Sequence, residues 1–260
     1  VDTQVTYPTG VPGITIVGSA DQGKTRIVRT LSGFGTGVQY GVHNSTINNL
    51  TRGVAERVLF ISEGGVLLPP RKPKTHVFDR LTGVKLRLLQ HLRPTTVVTP
   101  AEFPGLYHGR KQAVYERAYQ SLLSKGLQRK DAYVSTFVKA EKVNFSAKGD
   151  PAPRVIQPRS PRYNLCVGRY LKLFEKGLSN GFARMCGYRV ILKGLNADSV
   201  AAQLRDNWSA FNDPVAFGLD ASRFDQHVSQ EALRFEHGVY NSVFKSKELA
   251  LWLSWQLCNK

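Results

Sequence analysis

"VAFGLDASRFDQHVS", from Val215 to Ser229, sets two carboxylates five residues apart behind an apolar run. "VAFGLD" reads as a buried strand ending in Asp220, and "ASRFD" carries the chain through a turn or short loop to Asp225. A strand end fixes a carboxylate rigidly. Magnesium is a hard ion that takes oxygen ligands, so an Asp at the mouth of a sheet, with coordination left open for phosphate, suits two-metal phosphoryl transfer. Asp225 lies too far along to be taken as a ligand, and a carboxylate there suits a ribose hydroxyl. Paired aspartates also occur in ordinary surface loops, so the stretch needs context.

Upstream, "FVKAEKVNFSAKGDPAPRVIQPRSPRYN", Phe137 to Asn164, carries Lys139, Lys142, Lys148, Arg154, Arg159 and Arg162 against Glu141 and Asp150. Pro151, Pro153, Pro158 and Pro161 disfavour a regular helix, so the cations are expected to project from a stiff, extended ribbon. Lysine brings a point charge and arginine a planar fork that holds two phosphate oxygens; the mixture suits a triphosphate. A solvated basic loop is the alternative.

The bulk numbers agree with a polyanionic partner. The chain has 260 residues, 42% of them hydrophobic, and 36 Lys+Arg against 19 Asp+Glu give it a formal charge of +17. That is a folded body rather than a basic tail, and nucleic acid is favoured over an acidic membrane because phosphate neutralisation releases counterions. Cys166, Cys186 and Cys258 are spaced too widely for a zinc knuckle, which points to a reducing compartment. No signal peptide or bilayer-crossing run is apparent.

A competing motif lies near the start. "GSADQGKT", Gly18 to Thr25, fits the phosphate-loop pattern after the apolar "ITIV", so an ATP-driven helicase or NTPase module is one alternative. It would need a helix after Thr25, and "RIVRTLSGFG" allows barely two turns. Glu63 in "RVLFISE" is the candidate second acidic strand. "LLPPRKPKTH" reads as an extended basic connector.

Helical periodicity is clearest further on. Tyr115, Ala118, Tyr119 and Leu122 share a face, with Gly126 placed to end the helix. Leu171, Phe174, Leu178, Phe182 and Met185 form a second stripe. Val200, Leu204, Trp208 and Phe211 form a third behind a cap at Asp198, and Val228, Ala232, Phe235, Val239 and Val243 a fourth. "ELALWLSWQL" reads as a terminal helix, and all these stripes read as core.

"GLDASRFDQHVS" resembles motif A of the RNA-directed RNA polymerases of tombusvirus- and carmovirus-type plant viruses. "STFVKAEKVNF" with "DPAPRVIQPRSPRYN" resembles their motif F, and "GVHNSTINNLTRGVAERV" and "AEFPGLYHGRKQAVYERAYQSLLSKG" resemble their upstream fingers. The likeness covers residue 33 to the C-terminus. It implies an α+β, right-hand polymerase fold: an extension over 1–32, fingers over 33–210 with motif F at about 137–164, the start of the palm with motif A over 211–235, and helices leading back towards the fingers over 236–260.

The resemblance further implies that Asp220 ligates catalytic magnesium, or manganese, and that Asp225 senses the 2′-hydroxyl. Lys139, Lys142, Arg154 and Arg159 would contact the triphosphate, Arg162 less directly, with Glu141 orienting the cations through an ion pair. Expected partners are template and primer or product RNA, ribonucleoside triphosphates and a viral auxiliary replication protein. The expected place is the host cytoplasm, at membrane-associated replication complexes, with membrane contact indirect. Motif B, motif C with its Gly-Asp-Asp turn, and the thumb do not occur in these residues, so the chain alone is expected not to polymerise RNA. A noncatalytic RNA-binding replication factor is the remaining alternative.

Overall fold

The α+β character follows from where the sequence places prolines, glycines and caps. In the computed structural model, which describes residues 1–5, 15, 23–29 and 37–259, the chain divides into two compact units. One comprises Val1–Lys72, Val134–Arg159 and Arg223–Val228; the other Pro73–Tyr133, Ser160–Ser222 and Ser229–Lys260. The basic connector 67–76 contains the first boundary between them.

The first unit mixes short strands with one helix. β1 (Tyr40–Gly41) pairs antiparallel with β5 (Val143–Asn144), and β4 (Phe137–Val138) with β6 (Val155–Ile156). β2 (Ile61–Glu63) and β3 (Val66–Leu68) form a hairpin whose two turn residues, Gly64 and Gly65, both have positive φ, the geometry that a tight hairpin turn demands. Helix α1 (Ile47–Val54) starts at Thr46, whose side chain accepts from the Asn49 N–H, and widens into a π-helical turn over Ala55–Leu59. Gly53 on α1 lets the backbone of the basic segment come close, because a Cβ there would lie 2.5 Å from Val155 Cγ1 and 2.9 Å from the Pro153 carbonyl. A short helix, α4 (Phe145–Lys148), follows β5.

The second unit is helical. α2 (Thr82–His91), α3 (Gly109–Lys125) and α8 (Lys247–Ser254) pack on the 26-residue α5 (Pro161–Cys186), and α7 (Gln230–Phe244) packs on α2 and α8. One core cluster gathers Tyr163, Val167, Tyr170, Leu249 and Leu253; another gathers Val98, Phe103, Tyr115, Ala118 and Leu165. Buried tyrosines find partners for their hydroxyls: Tyr163 Oη donates to the Trp252 carbonyl at 2.7 Å. Gly126 ends α3, with its N–H on the Leu122 carbonyl. Cys166 is buried, which pushes its thiol up to about 11, and Cys186 and Cys258 are exposed free thiols.

Four expectations change. Pro161 does not interrupt a ribbon; it is the first residue of α5, where its missing N–H costs nothing, behind the Ser160 cap. Helix α6 (Ala197–Ser209) is capped by Asn196, whose Oδ1 accepts from Ser199 N at 2.9 Å, while Asp198 sits in the first turn. Its apolar stripe is not core: Leu204, Trp208 and Phe211 are all more than half exposed. "VAFGLD" is not a buried strand either. No described residue pairs with its backbone, and without a ladder its alternating side chains have nothing to pack on, so Phe217 and Leu219 stand 87% and 97% exposed.

Candidate functional site

The basic segment folds back on itself. The N–H of Lys139 donates to the Arg154 carbonyl at 2.8 Å, extending the β4–β6 pairing and bringing two cations 15 positions apart in sequence onto neighbouring strands. Between them lies Glu141, whose Oε2 is 2.7 Å from Lys139 Nζ and 3.1 Å from Arg154 Nη1. The ion pair expected of Glu141 is therefore present and shared. Both cations keep a solvent face, with 35% and 54% of their side chains exposed, so the carboxylate orients them without hiding them.

Other charges join them within the first unit. Arg57, on the π-helical turn, is held below the ordinary arginine range by burial and then by the guanidiniums of Arg223 and Arg154, while Asp225 and Glu141 act in the opposite direction. Three arginines, a lysine and two carboxylates thus share one neighbourhood, a net cationic field suited to an anion with several oxygens. Asp225 belongs to this group. It sits on a short 3-10 turn, Phe224–His227, entered through Arg223 in a left-handed conformation at φ 52° and ψ 46°. A non-glycine residue there is strained by about 1–2 kcal/mol.

Not every candidate converges. Lys142 lies just before β5, its Nζ 4.5 Å over the Tyr40 ring, so the ring holds its charge apart from the Glu141 pair. Arg159 is half-buried at the end of the first unit's basic segment. Arg162 is a structural tie. It donates to Asp131 Oδ1 at 3.0 Å, to Ser121 Oγ at 2.7 Å and to the Gly126 carbonyl, and is 15% exposed, which leaves it unsuited to gripping phosphate. Asp220 is exposed in the second unit. Its carboxylate is the oxygen donor that magnesium takes, and such sites often use one or two carboxylates plus substrate phosphates and water. Among the described residues no group of three or more His, Cys, Asp or Glu could hold a metal.

Sequence reasoning missed the frame beneath the cations. Arg52, 6% exposed, donates through Nε to Glu56 Oε1 at 2.9 Å, through Nη1 to Asp150 Oδ2 at 2.8 Å and through Nη2 to the Asp150 carbonyl at 2.9 Å. Asn49, fully buried, accepts from Thr3 N and donates to the Asn44 carbonyl. The signal was present as a polar stripe: Asn49, Arg52 and Glu56 follow at helical steps of three and four.

The phosphate-loop alternative fares differently. Gly18–Gln22 lie outside the described residues, as does "ITIV" apart from Thr15. Residues 23–29 form no helix; Lys24 makes a β-bridge with Ser45, and Arg26 donates to the carbonyls of His43 and Val138. The helix onset that must follow Lys24 and Thr25 in such a loop is missing there. Glu63 lies in the β2–β3 hairpin, which among the described residues pairs with no further strand.

A family described as viral RNA dependent RNA polymerase matches residues 14–260. The RNA-directed RNA polymerase of Tobacco necrosis virus (strain D) is 46% identical over 240 residues, which is 91% of this chain and 33% of that protein. That of Turnip crinkle virus is 43% identical over 250 residues, 96% of this chain and 32% of that protein, and that of Melon necrotic spot virus 46% over 239, 91% and 30%. The chain spans about a third of the length of these curated relatives. With the match running through both the basic segment and the two aspartates, the chain belongs to the viral RNA-dependent RNA polymerase family.

Proposed function

We propose that this chain supplies the fingers and the first catalytic carboxylate of an enzyme that copies viral RNA from ribonucleoside triphosphates. Residues 33–210 are read as fingers, 211–235 as the start of the palm, and 236–260 as helices returning towards the fingers. Lys139 and Arg154 grip the triphosphate, Lys142 and Arg159 line its approach, and Asp225 accepts a hydrogen bond from the ribose 2′-hydroxyl. Asp220 offers an oxygen to magnesium or manganese, which when bound stabilises charge on the transferred phosphoryl group. The observation that carries this reading is the meeting of Lys139 and Arg154 on Glu141 in the unit that also holds Asp225.

Template and product RNA are the partners that the charge of +17 favours. Among the described residues no helix is long and apolar enough to cross a membrane. Work at cytoplasmic replication complexes, with membrane contact through a viral auxiliary protein, is part of the same proposal. The test uses a polymerase extended through motifs B and C. Asp220→Ala abolishes nucleotide incorporation there and leaves salt-sensitive RNA binding intact; incorporation that survives the change defeats the assignment, and loss of RNA binding on removing the cations alone favours a noncatalytic binding role.

A further inference from the structure

The turn that carries Asp225 does not hold itself in place. It enters through a left-handed arginine, is four residues long, and is closed internally by a pair of tight-turn bonds, from Gln226 N to the Arg223 carbonyl and from Val228 N to the Asp225 carbonyl. What fixes it comes from outside. Arg223 Nη1 donates to the carbonyl of Glu56, and Gln226 Nε2 donates to the carbonyl of Phe60 at 2.5 Å.

The first of these acceptors lies in an irregular stretch of helix and the second just after it. Over Ala55–Leu59 the chain turns with π-helical spacing and then stops, Phe60 N closing the last bond on the Ala55 carbonyl at 2.9 Å. The chain leaves for β2 at Ile61, and carbonyls at a helix end take partners from outside the helix. Single π turns recur at functional positions for this reason. Gln226 Oε1 is buried with no hydrogen-bond partner among the described residues, so the amide's orientation answers to Phe60.

The same helix is tied to the basic segment. Glu56 takes Arg52 through its side chain and Arg223 through its carbonyl, and Arg52 in turn holds Asp150. A run of direct bonds therefore connects the loop before Arg154 to the turn bearing Asp225. We propose that Arg223 and Gln226 are positioning residues for sugar selection, clamping the Asp225 turn onto the carbonyls of Glu56 in the π-helical turn and of Phe60 just after it, so that its carboxylate is held in register with the Lys139–Arg154 grip. This rests on the reading of Asp225 as the acceptor for the 2′-hydroxyl. A carboxylate that must distinguish one hydroxyl gains selectivity only if it cannot drift, since a mobile acceptor finds water equally well.

The test is single-nucleotide incorporation of ATP and dATP by a polymerase containing this chain, comparing the ratio of kcat/KM for the two sugars. Gln226→Leu and Arg223→Gly, the latter keeping the left-handed backbone accessible, are expected to shrink the ratio about tenfold by slowing ATP while leaving dATP nearly unchanged. Arg223→Lys, which still reaches the Glu56 carbonyl, restores most of it. General destabilisation would lower both sugars together and leave the ratio where it was, which overturns the clamp. Asp225→Ala separates the two ideas: if it collapses the ratio and the clamp variants do not, the clamp is wrong and the sugar reading stands. If Asp225→Ala leaves the ratio unchanged, both fall.

Discussion

Lys139 and Arg154 are joined twice, once by the 2.8 Å bond from the Lys139 N–H to the Arg154 carbonyl and once through the shared Glu141 carboxylate. The backbone bond sets the spacing of the two cations; the carboxylate sets their direction. Because both side chains are partly exposed, the ion pairs themselves contribute little to stability, about 0–1 kcal/mol each. On the proposed function their value is orientation towards an incoming anion.

Arg154 and Arg162 should therefore part company under mutation. On the proposed function, Arg154→Ala loses a charge-assisted bond to phosphate, about 1.5–3 kcal/mol, so the Kd for a nucleoside triphosphate is expected to rise tenfold or more with the melting temperature almost unchanged. Arg162→Ala removes the partner of Asp131 in a site only 10–15% exposed. It is expected to cost about 3 kcal/mol of stability. Calorimetry and nucleotide titration on both variants check the pair.

Close approach at Gly53 makes a second prediction. An added methyl meets the Pro153 backbone and the Val155 side chain, on either side of Arg154, so Gly53→Ala is expected to destabilise by about 1–3 kcal/mol. Triphosphate affinity should fall with it. Gly83→Ala on α2 is the control, because nothing lies within 4 Å of its Cβ position. There the change should be neutral or stabilising by up to about 1 kcal/mol. Urea unfolding of the two variants reads the difference.

Much of this was legible and some was not, for reasons of range. The stripe Tyr115, Ala118, Tyr119 and Leu122 and the stop at Gly126 were readable because helical period and a positive-φ glycine are local signals. The strand at "VAFGLD" was misread because apolar alternation states a preference for burial and does not supply the neighbour that does the burying. Pro161 was misread as a breaker because proline is compatible with a helix's first turn and incompatible with its interior, and the sequence alone left the position of the start open. The cations were visible as composition. What turns them into a site, Arg52 reaching Asp150 across 98 positions and Arg223 reaching Glu56 across 167, has no local trace.

Arg52 supplies a third prediction. Arg52→Met roughly preserves volume and takes the guanidinium away from the carboxylates of Asp150 and Glu56, which are 23% and 15% exposed. Breaking a buried pair from one side costs about 3–5 kcal/mol. Neutralising the two carboxylates as well, with Asp150→Asn and Glu56→Gln, should recover part of the loss, since the penalty is for uncompensated charge rather than for the missing arginine. Failure of the triple variant to recover any stability in urea would mean that the packing of the guanidinium, and not its charge, holds α1 to the basic segment.

Acid should weaken both units through two buried histidines. His43 in the first unit and His237 in the second are 3% and 6% exposed, and burial lowers the pKa of each below 6.5. Asp150 acts to raise His43 and Gln256 and Glu236 to raise His237, without overturning the effect of burial. The folded chain thus resists a proton that the unfolded chain accepts. Where the unfolded state binds more protons, stability rises with pH, so it should be level above about pH 7 and fall as pH drops through 6.5, by at most about 1.4 kcal/mol per histidine per pH unit. Melting curves between pH 7.5 and about 5.5, above the range where most carboxylates titrate, isolate the effect. His237→Gln should flatten the slope for the helical unit and leave that of the other, because the two rings belong to separate cores. A slope that persists in full after both substitutions would place the acid sensitivity in the carboxylates.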